Sequence, residues 1–328
     1  MSIVVDVHTH MVTQDYLALL REKGAPKYTF RTLPSGGEVI DKSGTPFFTL
    51  LPDMWNFPAR IKAMDAAKVD VAVVSLTSPN AYLGDVETSV QAARLMNDAF
   101  ADAQRTWPDR IRWFASLPWQ HADEAIKELS RARELGAVGV MVIANIEEMS
   151  LTAAEFAPVW QAIDDAGLPV FIHPSVPPGG EMMDLTQYNL SPPVGFTFDT
   201  SLAISRMMYD GFFDRYRNVR IIAAHGGGAL PFLIGRLDFC YERIPACASG
   251  AKHQPSAYLD RIYLDAVVFS QGALKLCVET VGPQNMLYGS DYPHNIGDMA
   301  GCLARVDALD ADTARMTRGE NAIKLFGL

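Results

Sequence analysis

Cysteine is scarce in this sequence: Cys240, Cys247, Cys277 and Cys302 are the only four in 328 residues, and no two form a C-x-x-C pair. A chain of this length encloses a core large enough to stand without disulfide staples, so the four read as reduced thiols and the protein as cytoplasmic. Long apolar runs are also missing, none reaching the ~20 residues that a membrane helix requires. No basic segment precedes the apolar Ile3-Val4-Val5, which speaks against a secretory leader. Lysine and arginine, 28 together, are outnumbered by 38 aspartates and glutamates, for a formal net charge of -10. Nucleic acid and anionic membranes reward clustered cations and are not expected as partners. No G-x-G-x-x-G follows the first apolar run, which counts against a dinucleotide-binding open sheet. No internal repeat, low-complexity segment or domain linker interrupts the chain.

What is present is a core-forming pattern. Hydrophobic residues make up 49% of the chain, as in a globular protein with a large interior. Eight short β-rich runs recur at Ile3–Val7, Val69–Leu76, Ile111–Leu117, Ala137–Ile143, Leu168–Ile172, Val219–Ala224, Ile262–Val268 and Met286–Gly289. Near-continuous runs without polar alternation suit parallel strands buried on both faces. Helical patterns separate and follow them at 60–67, 86–107, 121–135, 153–166, 200–216, 230–247, 271–281 and 297–309, with a helical tail over 312–325. Pro108 stops the second of these, and Gly136 and Gly167 read as caps of the third and fourth. Strand–helix alternation repeated eight times predicts a single α/β domain over residues 1–328, a (β/α)8 TIM barrel, with an open doubly wound sheet as the alternative. Two connections are long, residues 11–58 after strand one and 174–196 after strand five. Both leave the C-terminal ends of strands, where barrel enzymes keep their sites, and connections of this length usually serve as lids.

The chemistry-bearing residues gather at those strand ends. His8 and His10 stand two apart, and in an extended chain residues i and i+2 point to the same side, so both imidazoles can reach one ion. His173, His225 and Asp291 each follow a later apolar run, and barrel closure brings all five to one mouth. Nitrogen and carboxylate donors suit Zn2+ first, with Mn2+ or Fe2+ as alternatives. A single strand-end histidine is more often a structural group, but five coincident positions are hard to reach by accident.

Asp6-x-His8-x-His10, His173-Pro174, His225-Gly226-Gly227-Gly228 and Gly289-Ser290-Asp291-Tyr292-Pro293 together resemble the amidohydrolase-2 branch of the amidohydrolase superfamily. Within it they look most like the aminocarboxymuconate-semialdehyde decarboxylases, with the resorcylate and carboxyvanillate decarboxylases as cousins. The similarity runs over nearly the whole chain, through Arg60-Ile61-Lys62-Ala63-Met64-Asp65, Leu117-Pro118, the segment from Ala224 to Arg236, and Gly319-Glu320-Asn321-Ala322. It implies that His8, His10, His173 and Asp291 are metal ligands, with Asp6 a further candidate. It also implies that His225 assists a metal-activated water without ligating. Binuclear members use a carboxylated lysine on strand four; Val142-Ile143-Ala144-Asn145 has none, so one metal is expected.

The resemblance implies a metal-dependent decarboxylase, a C–C lyase acting on a small aromatic or dienoic carboxylic acid. A hydrolase of a small amide, lactone or C–C bond would use the same ligands, with Asp291 and His225 again handling the proton. Arg236 matches an arginine that reaches into a neighbouring subunit's site, which implies a homodimer; its alternative is a helix-face salt bridge. Aligned on Trp55, the family's second arginine falls at Phe48, an aromatic wall suited to a benzoate-type acid, and Lys42 nearby cannot copy a bidentate fork. Phe48, Trp55 and His294 are the remaining candidate substrate contacts, with Trp119 and Phe198 as weaker wall candidates. His121 and His253 default to the surface. The glycines after His225 present backbone N–H groups to an anion or allow close packing.

Overall fold

The eight apolar runs form eight parallel strands in a computed structural model that describes residues 3–34, 36–43, 45–185 and 187–328. Met1, Ser2, Ser35, Gly44 and Thr186, which belong to the expected domain and its two long connections, lie outside the described residues. The strands are β1 (Val5–His10), β2 (Val71–Ser75), β3 (Ile111–Ser116), β4 (Gly139–Ile143), β5 (Val170–His173), β6 (Ile221–Ala223), β7 (Ile262–Asp265) and β8 (Met286–Leu287), each paired to the next in chain order. The ring closes between β1 and the segment leaving β8. Val7 N–H donates to the Tyr288 carbonyl (3.0 Å), Asp291 N–H to that of His8 (2.8 Å) and His10 N–H to that of Tyr292 (2.8 Å). A closed parallel sheet with helices between its strands is the TIM barrel expected from the alternation.

Side-chain parity explains why these strands read as continuous apolar runs. On β5, Val170 and Ile172 join the large cluster between strands and helices, while Phe171 belongs to a second, smaller cluster. That second cluster takes Val5, Val7, Val73, Phe114, Met141, Ile222 and Leu287 from strands all round the ring, together with Ala322 and Leu325 of the last helix. Residues from every side of a ring meet only inside it, so this is the barrel interior, and the C-terminal helix (Asn321–Phe326) plugs one end. Both faces of each strand are therefore buried.

The β1–β2 pairing carries an irregularity with a consequence for the site. Asp6 pairs with Ala72 and Thr9 with Val74, so β1 spends one extra residue, a β-bulge, between them. Val5 and Val7 face the interior before the bulge, and the bulge turns His8 and His10 inward after it. Asp6 is left on the opposite side, where Ser290 Oγ donates to it (2.5 Å) and the N–H groups of Ser290 (3.1 Å) and His8 (3.2 Å) do the same. Burial raises the Asp6 carboxyl to about 7 despite those donors. Fully buried Arg60 pins the end of β1 from outside, donating to Thr9 Oγ1 and the His10 carbonyl, with Tyr292 beneath its guanidinium at 4.8 Å.

Most helices fall where the patterns place them, and the differences have local causes. The expected helix over 200–216 is two, Phe196–Tyr209 and Phe212–Arg215, broken at Gly211 (φ +70°), where a Cβ would stand 2.4 Å from the Gly250 carbonyl oxygen. The helix from Leu230 ends at Arg243, because Pro245 forces Ile244 into an extended conformation. The first long connection is not an irregular loop. It holds a helix, Gln14–Lys23, N-capped by Thr13, and a three-stranded antiparallel sheet of Tyr28–Thr32, Glu38–Lys42 and Thr45–Leu50. Strands of five or six residues separated by glycine and proline carry too little periodicity to stand out from a loop. No helix among the described residues is long and apolar enough to cross a membrane.

The second long connection is tied down by Asp199, buried at the start of the helix Phe196–Tyr209. Its carboxylate accepts Ser175 N–H (2.9 Å) and Asn145 Nδ2 (2.9 Å), linking the segment after β5 to the end of β4. Burial raises Asp199 from 3.8 to about 7. An acid with a raised pKa in the folded chain binds its proton more tightly there, so its contribution to stability falls as pH rises from 3.8 to about 7. Asp199→Asn should flatten that part of the stability–pH profile; urea unfolding across the window checks it, and an unchanged slope would contradict it.

Candidate metal centre and active site

Three imidazoles converge at the C-terminal mouth of the barrel, each with its outer nitrogen already engaged. His173 Nδ1 donates to the Pro174 carbonyl at 2.9 Å, an atom that can only accept. His8 Nδ1 donates to Asp265 Oδ2 at 2.6 Å. His10 Nδ1 lies 3.0 Å from Ser75 Oγ, whose own proton points to the Thr9 carbonyl at 3.4 Å, so the serine oxygen accepts from the ring. In each ring Nε2 is thereby left as a bare lone pair. All three Nε2 atoms are buried without a hydrogen-bond partner among the described residues, and so is Asp291 Oδ1.

One donor atom from each of His8, His10, His173 and Asp291 lies within 4.8 Å of the others. Asp291 Oδ1 stands 3.3 Å from His8 Nε2 and 3.4 Å from His10 Nε2. Four buried acceptors crowded together without a donor are unfavourable unless a cation sits among them. Three imidazole nitrogens and one carboxylate are the donor set of a divalent transition metal. The chain thus holds a divalent-metal site in the four residues the sequence singled out. Asp6 stays with Ser290 on the far side of β1 and does not join them.

The electrostatics follow from burial and spacing. Burial pushes His10 down to about 3 and His173 well below the usual imidazole range. Burial acts the same way on His8, but the carboxylates of Asp265 and Asp291 outweigh it and raise that ring. Its surroundings thus favour a positive charge there, which a metal ion on Nε2 would supply in place of a proton. Asp291 is depressed well below the carboxylate range, because the surrounding histidines overcome the burial that would raise it. Asp291 (φ +58°) and His225 (φ +56°) are both non-glycine residues in the left-handed region. Each such residue costs of order 1–3 kcal/mol and persists where its surroundings over-determine it.

Asp265 supplies much of that determination, and sequence reasoning passed it over. Beyond His8, its Oδ2 accepts His225 N–H (3.0 Å) and its Oδ1 accepts the N–H groups of Gly226 (3.0 Å) and Val267 (3.0 Å). The available signal was an acid inside the apolar run Ile262-Tyr263-Leu264-Asp265-Ala266-Val267-Val268. Gly226 N–H is committed to this carboxylate, so packing accounts for the glycines better than anion binding. A Cβ at Gly228 would stand 2.2 Å from the Thr197 carbonyl oxygen.

A cavity of about 860 Å³ opens above the four-residue cluster. His173, His225, Asp291 and His294 stand at its metal end, and Phe48 is on its wall. His225 Nε2 is 3.6 Å from Asp291 Oδ2, while its Nδ1 has no hydrogen-bond partner among the described residues. His294 Nε2 lies 3.2 Å from Thr77 Oγ1, with its ring 5.0 Å from that of His10 and 5.3 Å from that of Phe48. The other expected contacts lie elsewhere. Trp55 is half-buried against the outer core, and buried Trp119 packs on Phe156 and Trp160. Phe198 is exposed, and so is Arg236 on the helix Leu230–Arg243, away from the cavity of its own chain. His121 reaches the Gly84 carbonyl (3.2 Å) and His253 is exposed.

A cluster of metal-ligating residues at the mouth of a (β/α)8 barrel defines a class of metal-dependent enzyme, and sequence comparison names it. The amidohydrolase family model matches residues 5–328, and the chain belongs to that family. It is 28% identical to a 2-amino-3-carboxymuconate-6-semialdehyde decarboxylase of Dictyostelium discoideum, over 100% of this chain and 92% of that one. It is also 28% identical to a gamma-resorcylate decarboxylase of a Polaromonas species, over 90% of this chain and 94% of that one. Among solved structures, a 5-carboxyvanillate decarboxylase of Novosphingobium aromaticivorans, complexed with manganese and 4-hydroxy-3-methoxy-5-nitrobenzoic acid, superimposes with a TM-score of 0.83 at 25% identity. That match covers 100% of this chain and 96% of the other.

Two substitutions test the centre. His173→Ala should remove metal and activity together. In Asp265→Asn an amide NH2 replaces one of two oxygens that each accept two N–H groups, so metal affinity should fall by roughly 10–100-fold. Metal titration by competition with a chelator reads both, and undiminished affinity in either variant would contradict the assignment.

Proposed function

We propose that the protein is a metal-dependent, non-oxidative decarboxylase of a small aromatic or dienoic carboxylic acid. The carrying observation is the four-ligand cluster at the floor of a largely apolar cavity of about 860 Å³, which suits a planar acid laid against the metal. The decarboxylases among its relatives support this chemistry over hydrolysis. His8, His10, His173 and Asp291 hold one divalent metal, for which the donor set favours Zn2+ and the carboxyvanillate decarboxylase offers Mn2+ as the alternative. Asp6 serves the strand through Ser290 and is not a ligand. When bound, the metal supplies Lewis acidity toward the substrate's oxygen atoms.

The chain's own residues handle the proton. Asp291 and His225 adjoin each other at 3.6 Å on the cavity floor and deliver one proton to the carbon that bears the carboxylate. The C–C bonding pair stays with that carbon skeleton as CO2 departs, so acid anion plus proton gives the decarboxylated product plus CO2. No oxidant or reductant is needed. Phe48 and His294 confine the substrate's plane from one side.

Arg236 acts from a second copy of the chain. It is exposed, has no acidic partner among the described residues, and shares a helix face with Phe232 and Phe239, which are 81% and 59% exposed. An apolar helix face carrying Arg236 and, over the Phe239 ring at 5.2 Å, Arg243 suits a homodimer contact next to an acid-binding cavity.

Headspace CO2, measured over metal-loaded protein with a panel of hydroxybenzoates, amides and lactones, tests the chemistry. CO2 from a benzoate is the expected result, and released amine or ring-opened lactone without CO2 would favour a hydrolase. His225→Asn should keep its metal while losing most of its rate. Mixing that variant with Arg236→Ala should restore roughly a quarter of wild-type sites if the arginine acts across a two-fold dimer. No recovery on mixing would confine Arg236 to its own chain's surface.

A further inference from the structure

His225 is held differently from the three imidazoles beside it. Each of those has a hydrogen bond at Nδ1. His225 Nδ1 has no hydrogen-bond partner among the described residues, and its Nε2, 3.6 Å from Asp291, is beyond hydrogen-bonding reach. Its ring packs 4.8 Å from that of His8 and 5.5 Å from that of His173. Packing and the backbone, not a hydrogen bond, therefore set the place of this imidazole.

That backbone is a run of four left-handed residues: His225, Gly226, Gly227 and Gly228 have φ of +56°, +63°, +75° and +64°. Three successive glycines let the chain take this path, and leave it as easily, so side chains outside the turn have to hold it. Asp265 binds the N–H groups of His225 and Gly226, but it also binds His8 and so serves the metal cluster as well. Two other side chains reach the turn without touching a metal-binding residue. Cys277, buried on the helix Gln271–Val281, directs its thiol at the Gly226 carbonyl (3.7 Å). Burial pushes that thiol up to about 12, so it keeps its proton and can donate. Ser201, buried on the helix Phe196–Tyr209, holds the other end: its Oγ accepts Ala229 N–H (2.8 Å) and donates to the Thr197 carbonyl (2.6 Å). Thr197 lines the cavity, so this hydroxyl ties the turn to the substrate's wall.

We propose that Ser201 and Cys277 are positioning residues for His225, clamping its glycine turn from two helices so that an imidazole without a hydrogen bond keeps its place over the metal end. This rests on the decarboxylase reading, in which His225 handles the proton. In the Mn2+-loaded protein, Ser201→Ala should slow CO2 release from the fastest hydroxybenzoate of the panel about tenfold, since small misplacements of a reacting group are costly. KM and metal affinity should stay unchanged, and Cys277→Ala should act in the same direction. Made in the His225→Asn protein, either change should alter the residual rate by less than about twofold, because nothing is left to position. Losses of the same factor in both backgrounds would overturn the proposal and mark the two residues as general supports of the fold. Cys302→Ala removes another buried thiol, on the helix Met299–Asp307, and should leave kcat alone. An equal fall in kcat there would also count against positioning.

Hydrogen exchange separates this proposal from the decarboxylase reading. With Mn2+ bound, the amides of residues 225–229 should exchange faster in Ser201→Ala, while those of 8–10 keep their wild-type rates. That pattern without CO2 from any acid would uphold the clamp and sink the decarboxylase reading. Unchanged exchange over 225–229 would sink the clamp whether or not CO2 forms.

Discussion

The site depends on one carboxylate. Asp265, fully buried at the end of β7, binds the Nδ1–H of His8 and three backbone N–H groups, two of them from His225 and Gly226. In doing so it fixes the tautomer of a metal ligand and the left-handed turn that carries His225 over the mouth. A buried carboxylate is costly unless its lone pairs are satisfied, and here four donors from three strand ends satisfy them. The four-residue cluster and His225 are thus built on the same anchor. This coupling is why a residue that touches no substrate sits at the centre of the architecture.

The barrel supplies the rest by parity and closure. Alternate residues of each strand face the interior, and the last inward position of β5 is His173, directly above Phe171 in the interior cluster. The bulge in β1 lets two imidazoles face inward beyond two interior valines while Asp6 turns away to Ser290 and toward buried Arg60. An unbroken two-residue alternation would instead have kept Asp6, His8 and His10 together on the side of the strand opposite Val5 and Val7. The mouth is then covered from one side by the small antiparallel sheet that carries Phe48 and from the other by the segment leading into the helix Phe196–Tyr209. Together they leave an apolar space whose charged and titratable groups gather at its metal end.

Much of this was legible in the residue pattern. Parallel strands buried on both faces write themselves as continuous apolar runs, and eight such runs with helices between them leave few architectures. Strand-end histidines and aspartate can be read because barrel closure is a topological consequence: wherever the ends lie in sequence, they meet at one rim. The folded content of residues 11–58 was not legible, since short strands with glycine and proline between them resemble a loop. Nor was Asp265, a single acid whose four donors come from residues 8, 225, 226 and 267 and are adjacent only in space.

By itself the sequence carried the barrel through strand periodicity, the family through its motifs, and the strand-end histidines and aspartate through their position, because these are local properties that any closed arrangement preserves. Tertiary structure alone decided which way Asp6 faces, which nitrogen of each histidine is free, and which aromatics reach the cavity. Those depend on a one-residue bulge, on hydrogen-bond partners far away in the chain, and on the path of two long connections. No periodicity within a strand encodes any of the three.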